Sequence, residues 1–388
     1  MFRNLDSGCS MATLLTSPHD AVVLYPSRQN VPEHENHIHH DIAARLANLF
    51  GCAFDGVYDP ARHATMRCYF VPTDTLLTPS LRSQLGVRDE FDLYGGYADY
   101  AFMPTKAITH ALIGPEADRP PGWSDAFATQ VQGATLPGRT VFTSEDILTA
   151  AEQLGLGTRT LRLKPVLATA GRGQQIINDR ASLESALKRV DTQRLAECGL
   201  VLEVHLENVT TYSVGQLRLP GLTTSYIGTQ RLTHDNQGTE VYGGSRLLFA
   251  RGGYETLATL PIDPAQRRAV EYATRYDQAA DTCYAGFFAS RRNYDVAAGT
   301  ADDGEMLVGV LEQSWRIGGA SRAEIAAAEA FAADPGCACI WAETREVFGD
   351  SEILPAHAMK TYEGDDPDLG RISKYVMVNA YDDKHQHH

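Results

Sequence analysis

The 388-residue sequence predicts a mixed α/β and α+β protein in three parts. Three observations carry this. "AVVLY" (Ala21 to Tyr25) is a wholly apolar run of the kind that fills a buried parallel strand, and a helical stripe follows it. "GPEADRPPGWSD" is rich in Pro and Gly and reads as a linker. Beyond it, β-rich segments joined by glycine turns outnumber helices. The expected parts are an α/β domain over 1–125, a small lid lobe over 126–205 and a larger lobe over 206–388.

In the first part, "HHDIAARLANLFG" places Ile42, Leu46 and Leu49 at helical spacing, with Gly51 as the stop. The histidines before it, His34, His37, His39 and His40, read as an exposed loop after the first strand. His37 and Asp41, one turn apart, could share an ion. In the second part, Thr143 with Asp146 resembles a capping box, and Ile147, Ala151 and Leu154 line one face. The strand "RTLRL" runs into "KPVLATAGRGQ", where Lys164 precedes the turn Gly171-Arg172-Gly173. The turn fits either a plain hairpin or a loop whose N–H groups close over a polyphosphate, and it lacks the dinucleotide pattern G-x-G-x-x-G. The helix of "DRASLESALKRVD" and the strand "GLVLEVHL" complete the lobe.

In the third part, "TTYSVGQLRL", "TSYIGTQRL" and "EVYGGSRLLF" read as strands, and "DPAQRRAVEYATRYDQAA" as a helix. The loop "GTQRLTHDNQGTEVYGGS" suits a segment closing over a substrate, through Gln230, Arg231 and Tyr242, or an exposed hairpin. "GFFASRRNYDVAAG" and "EMLVGVLEQSWRIGG" are strands around the acidic turn "TADDGE". Period-two geometry puts Val308, Val310, Glu312, Ser314 and Arg316 on one face. A hairpin would bring Asp295 to Glu312, and two facing carboxylates call for a cation such as Mg²⁺. Ser321 and Glu324 in "SRAEIAAAEAF" have capping-box spacing.

Net charge is −15, so no nucleic-acid partner is expected, because phosphate backbones need a basic surface. Seven scattered cysteines do not form a disulfide framework or a zinc site of usual spacing. No apolar run reaches the length of a membrane span, and no signal-peptide pattern precedes the first strand. The expectation is a cytoplasmic protein with no membrane partner.

"LKPVLATAGRGQ", "VLEVHLENVTTYSVG", "GFFASRRNYDVAAG" and "VLEQSWRIGGAS", in this order and after "DLYGGY…TKAITHAL", resemble the ATP-grasp superfamily, and more closely an uncharacterised bacterial branch of it. The resemblance spans roughly residues 100 to 330 and rests on order and spacing rather than on any one motif. It implies ATP and Mg²⁺ as cofactors and a small carboxylate and an amine as substrates, joined through an acyl phosphate; homodimers are common in such proteins. It implies that Lys106 and Lys164 hold the phosphates, and that Gly171, Arg172 and Gly173 form the mobile loop over them. Glu203 with Val204, His205 and Leu206 would be the adenine hinge, Asp295, Glu312 and Ser314 the metal ligands, and Arg316 the group that offsets charge at the reacting centre. Two departures stand out: Ser314 occupies the usual asparagine position, and Asn208-Val209-Thr210-Thr211 lacks the ribose-binding acid, with Glu207 out of register. The alternatives are a nucleotide-binding protein without catalysis, or a phosphotransferase.

Overall fold

The computed structural model describes residues 15–167, 173–349 and 354–381. Gly171 and Arg172 lie outside the described residues. Near the N-terminus, Ala21–Tyr25 is the centre of a parallel sheet between Ala53–Val57 and Cys68–Pro72. Four of its five residues are buried, as expected of a strand covered on both faces. The helix Glu33–Phe50 packs on it and stops at Gly51, whose φ of 69° lets its N–H reach the carbonyls of Ala47 and Asn48.

That helix starts earlier than its apolar stripe predicts, and all four histidines lie inside it. Pro32 fixes the entry, and Glu33 and Glu35 sit at the electropositive first turn. The stripe Ile38, Ile42, Leu46 extends back to His34, which is buried against Asp366 (Nδ1 to Oδ2, 2.9 Å). His37 packs on the Tyr362 ring, centroids 5.4 Å apart. Asp41 pairs with Arg45 and Arg322 rather than sharing an ion with His37. The expected exposed loop is thus a helix docked on a C-terminal hairpin.

The lid is an antiparallel sheet in the order Gly138–Val141, Leu200–Val204, Leu161–Pro165, Gln175–Ile177. Its helices Ser144–Gln153 and Arg180–Leu187 begin at the side-chain caps Thr143 and Asp179. Val141, Ile147, Leu161, Leu163, Leu183 and Leu202 close its core.

The large lobe is an eight-stranded antiparallel sheet. Its strands, in spatial order, are Met306–Ser314, Arg291–Thr300, Glu207–Leu219, Leu222–His234, Glu240–Arg251, Cys339–Phe348, Gly370–Ala380 and Met359–Asp366. Side-chain alternation gives it two cores. Leu217 and Leu219 face the helix Ser321–Ala333 and the first helix; Tyr212 and Val214 face the helix Pro264–Cys283. A small sheet of Leu76–Leu77, Gly96–Ala98 and Phe288–Ala289 joins the N-terminal part to this lobe.

Two expectations change here. Ser321 does not cap its helix: Ala320 is at the N-cap with no side-chain hydrogen bond. Ser321 Oγ instead accepts from Gly318 N–H (3.1 Å), and Glu324 is buried against Arg291, Tyr94 and Tyr226. The second change concerns the hairpin. Asp295 pairs with Glu312, but Val296 pairs with Val310, so Leu311 is an extra residue on its strand. This bulge re-aims the side chains on either side of it. Val310 packs in the core under Pro264–Cys283, while Glu312 turns to the other face beside Asp295. The predicted common face for Val310 and Glu312 is therefore broken, which keeps a carboxylate out of an apolar core.

Candidate active site

The site is built on the hairpin of Arg291–Thr300 and Met306–Ser314. Asp295 Oδ1 accepts from Gln230 Nε2 (2.8 Å), Ser213 Oγ (3.3 Å) and Asn293 Nδ2 (3.4 Å). Burial and the facing Glu312 carboxylate push Asp295 up to about 6, against the pull of these donors. Glu312 Oε2 meets Lys106 Nζ at 2.8 Å.

Lys106 opens the short turn Lys106–Thr109 and is only 3% exposed. Thr105 caps that turn through Ala107 N–H. Gln313, next to Glu312 but on the opposite face, donates to the carbonyls of Met103 (2.8 Å) and Thr105 (2.7 Å) and accepts from Tyr276 OH (2.9 Å). One strand therefore supplies both the partner of Lys106 and the clamp on its loop.

In the lid, Lys164 Nζ lies 2.9 Å from Glu203 Oε1, and His110 Nε2 lies 3.2 Å from Glu203 Oε2. Lys164 and Glu203 are 3% and 2% exposed. Burial alone would raise Glu203; the Lys164 and His110 partners outweigh it and hold the carboxyl down to about 2. His110 was not apparent from the sequence, since a lone histidine after "TKAIT" has no pattern of its own. Gly138 makes room for it, because a Cβ there would lie 2.5 Å from the imidazole.

At the hinge, Val204 N–H donates to Pro137 O (2.9 Å) and His205 N–H to Thr160 O (3.0 Å), while Leu206 is buried in the lid core. Arg162 bridges His205 and Gln174, each at 2.9 Å. Gly173, where the described chain resumes, has φ of 70°, a left-handed conformation that favours glycine.

Past the hairpin, Ser314 Oγ accepts from Arg291 Nη1 (3.1 Å), a cation already anchored by Glu324. Arg316 donates to Ile317 O (2.9 Å) and reaches Asp74 of the N-terminal part at 3.8 Å. Tyr242 points inward: its OH meets Ser245 Oγ (2.7 Å) and Thr344 Oγ1 (3.3 Å), and its ring packs on Gly319, where a Cβ would lie 2.6 Å away. Gln230 supports Asp295, and Arg231 lies on the exposed side of the long hairpin.

Lys106, Glu312 and Asp295 thus come together, Ser314 turns to Arg291 instead, and Lys164 with Glu203 forms a second centre tied to the first through His110, four residues beyond Lys106. Among the described residues no group of three His, Cys, Asp or Glu could hold a metal. Asp295 and Glu312 fit Mg²⁺ in a narrower sense: Mg²⁺ commonly takes one or two carboxylates and completes its shell with phosphate oxygens and water.

Comparison with solved structures supports this architecture. The chain is similar to N5-carboxyaminoimidazole synthetase from Staphylococcus aureus complexed with ADP, with 11% identity, 96% of each chain covered and a TM-score of 0.55. An ADP complex of N5-carboxyaminoimidazole ribonucleotide synthetase aligns over 95% of each chain at 11% identity and a TM-score of 0.49. No curated protein matches the sequence. The likeness to the first structure is one of fold, and that fold is ATP-grasp. The family model described as "Protein of unknown function (DUF3182)" matches residues 22–376, more than half of the sequence, and the chain belongs to that family.

Proposed function

We propose that this protein is an ATP- and Mg²⁺-dependent ligase that joins a small carboxylate to an amine through an acyl phosphate. The observation that carries the reading is the meeting of Lys106 and Glu312 at 2.8 Å, with Asp295 across the ladder, below a lid that buries a second lysine. Paired lysines and carboxylates of this kind suit a polyphosphate with its metal. The solved ATP-grasp structure of similar fold binds ADP, which supports the same use of the cleft here.

In this reading Lys106 and Lys164 neutralise phosphate oxygens, and Asp295 and Glu312 would hold Mg²⁺, which would supply further positive charge against the phosphates. A substrate carboxylate oxygen attacks the γ-phosphorus and ADP leaves. The amine then attacks the acyl carbon, inorganic phosphate departs with the broken C–O bond, and the nitrogen releases its proton to water. Arg316 faces the N-terminal strand ends and offsets the charge that develops on the acyl oxygen. The turn Gly171-Arg172-Gly173 is assigned to the phosphates and Glu203 with residues 204–206 to adenine, as the sequence resemblance implies. Gln230, Arg231 and Tyr242 border the substrate, Gln230 and Tyr242 from below as supports.

A second reading, nucleotide binding without catalysis, is favoured by one observation: Ser314 Oγ is taken up by Arg291, so the metal has two carboxylates rather than three ligands. Release of ADP during incubation with pooled small carboxylates and amines distinguishes the two. Ligase activity predicts ADP formation that needs both substrates; ADP formation absent from every pool contradicts it.

A further inference from the structure

The N-terminal part holds polar groups that the nucleotide site does not use, at the carboxyl ends of Ala21–Tyr25 and Cys68–Pro72. The two loops are stitched together. Arg28 N–H donates to Thr73 Oγ1 (2.9 Å), Asp74 N–H to Ser27 Oγ (2.7 Å), and Ser27 Oγ to Asp74 O (2.9 Å). Two charge pairs meet here. The Arg28 guanidinium pairs with Glu35 of the first helix, and Arg316 reaches Asp74 from the hairpin end.

Beside them lies His39, one helical turn beyond Glu35 and 3% exposed, with no hydrogen-bond partner for Nδ1 among the described residues. Among the described residues, Thr75, 5% exposed, likewise has no partner for Oγ1, and neither does the buried Nε of Arg28. An unmet buried polar group is costly; His39 lies within electrostatic reach of Arg28, and Thr75 directly follows Asp74, to whose Oδ1 its N–H donates (2.8 Å). Burial lowers the His39 pKa to about 4, with Glu35 opposing and Arg28 and Arg316 adding to the effect, so the Arg28–Glu35 pair and the Arg316 guanidinium all act on this one imidazole, which is neutral at pH 7.

The charges balance: two guanidiniums against two carboxylates. A site for a plain anion carries excess positive charge, and a site for a plain amine excess negative charge. A balanced pair of poles with unmet donors between them suits a ligand that is itself neutral overall and carries both charges. We infer that Arg28, Glu35, His39, Asp74, Thr75 and Arg316 form a binding site for a free α-amino acid in its zwitterionic form. Its carboxylate meets the guanidiniums and the donors of His39 and Thr75; its ammonium meets Glu35 and Asp74. This names the amine substrate class of the proposed ligase, and it rests on that reading only for the role of the bound molecule.

The test is calorimetric titration of the full chain with the standard amino acids, and with the N-acetyl and carboxamide derivatives of any that bind, without nucleotide. The expected result is saturable binding of at least one amino acid and roughly tenfold or greater weakening when either charge is removed. Arg28→Gln and Thr75→Val, each checked for native unfolding behaviour, should weaken binding by a similar factor. Saturable binding of none of the amino acids, equal binding of the blocked derivatives, or unchanged affinity in both variants would overturn the inference. Because nucleotide is absent, failure here is separable from failure of the ATP site, which is read by a nucleotide-induced shift in melting temperature.

Discussion

Glu203 is a carboxylate held ionised inside the lid by Lys164 and His110. A carboxyl whose folded-state pKa is depressed contributes stability above its unfolded value, near pH 4.3, and loses it as pH falls toward the folded value of about 2. Glu203→Gln leaves the lysine buried without its counter-charge and should lower stability by about 3 kcal/mol at pH 7. It should also flatten the acid limb between those two values. Denaturant unfolding across pH measures both; an acid limb equal to wild type would show that the lysine pair does not govern lid stability. Asp295 and Glu312 present the opposite case: burial, and after it the facing Glu312 carboxylate, raise the pKa of Asp295. Asp295→Asn should therefore raise the melting temperature of the ligand-free protein while removing the Mg²⁺-dependent part of nucleotide binding. A melting temperature at or below wild type would argue against the repulsion.

Among the elements, the bulge at Leu311 decides the character of the site. It leaves Val310 in the core and turns Glu312 into the cleft. The carboxylates of this hairpin, their pairing and the loop between the strands were legible in the sequence. The bulge was not, because Leu311 is an ordinary apolar strand residue and strict alternation predicts the wrong face. The histidine helix departs from the expected loop for a related reason: His34 and His39 continue the apolar stripe by burying polar rings, which composition does not reveal. Gly309, on the same strand, has a further role. A Cβ there would lie 2.4 Å from Leu136 N, where the chain entering the lid crosses the large lobe. Gly309→Ala should force those backbones apart and cost about 1–3 kcal/mol, read as a lowered unfolding midpoint. Unchanged stability would mean that the crossing yields freely. Gln313→Leu tests the clamp on the Lys106 loop: it should weaken nucleotide binding by about tenfold with Glu312 intact. Equal affinity would mean that the loop is held by other contacts.

For the molecule as a whole, the mixed α/β character was legible because its segments carry their own signatures: an all-apolar strand, a lysine before a glycine turn, and a carboxylate-bearing hairpin. How the parts meet was not. Lys106 touches Glu312, and Arg316 reaches Asp74, across distances in sequence that no local pattern spans. These contacts tie the turn at Lys106 to the hairpin strand at Glu312, and the hairpin end at Arg316 to the N-terminal part at Asp74. A ligand that binds only the native state raises the melting temperature with its affinity and concentration. The most informative measurement is thermal unfolding of wild type and Glu312→Ala with ATP, ADP and a non-hydrolysable ATP analogue, each with and without Mg²⁺. Wild type should be stabilised by nucleotide, and more so with Mg²⁺, while Glu312→Ala unfolds cooperatively and loses the metal-dependent part. No shift with any nucleotide, or an identical metal-dependent shift in the variant, would contradict the proposed site.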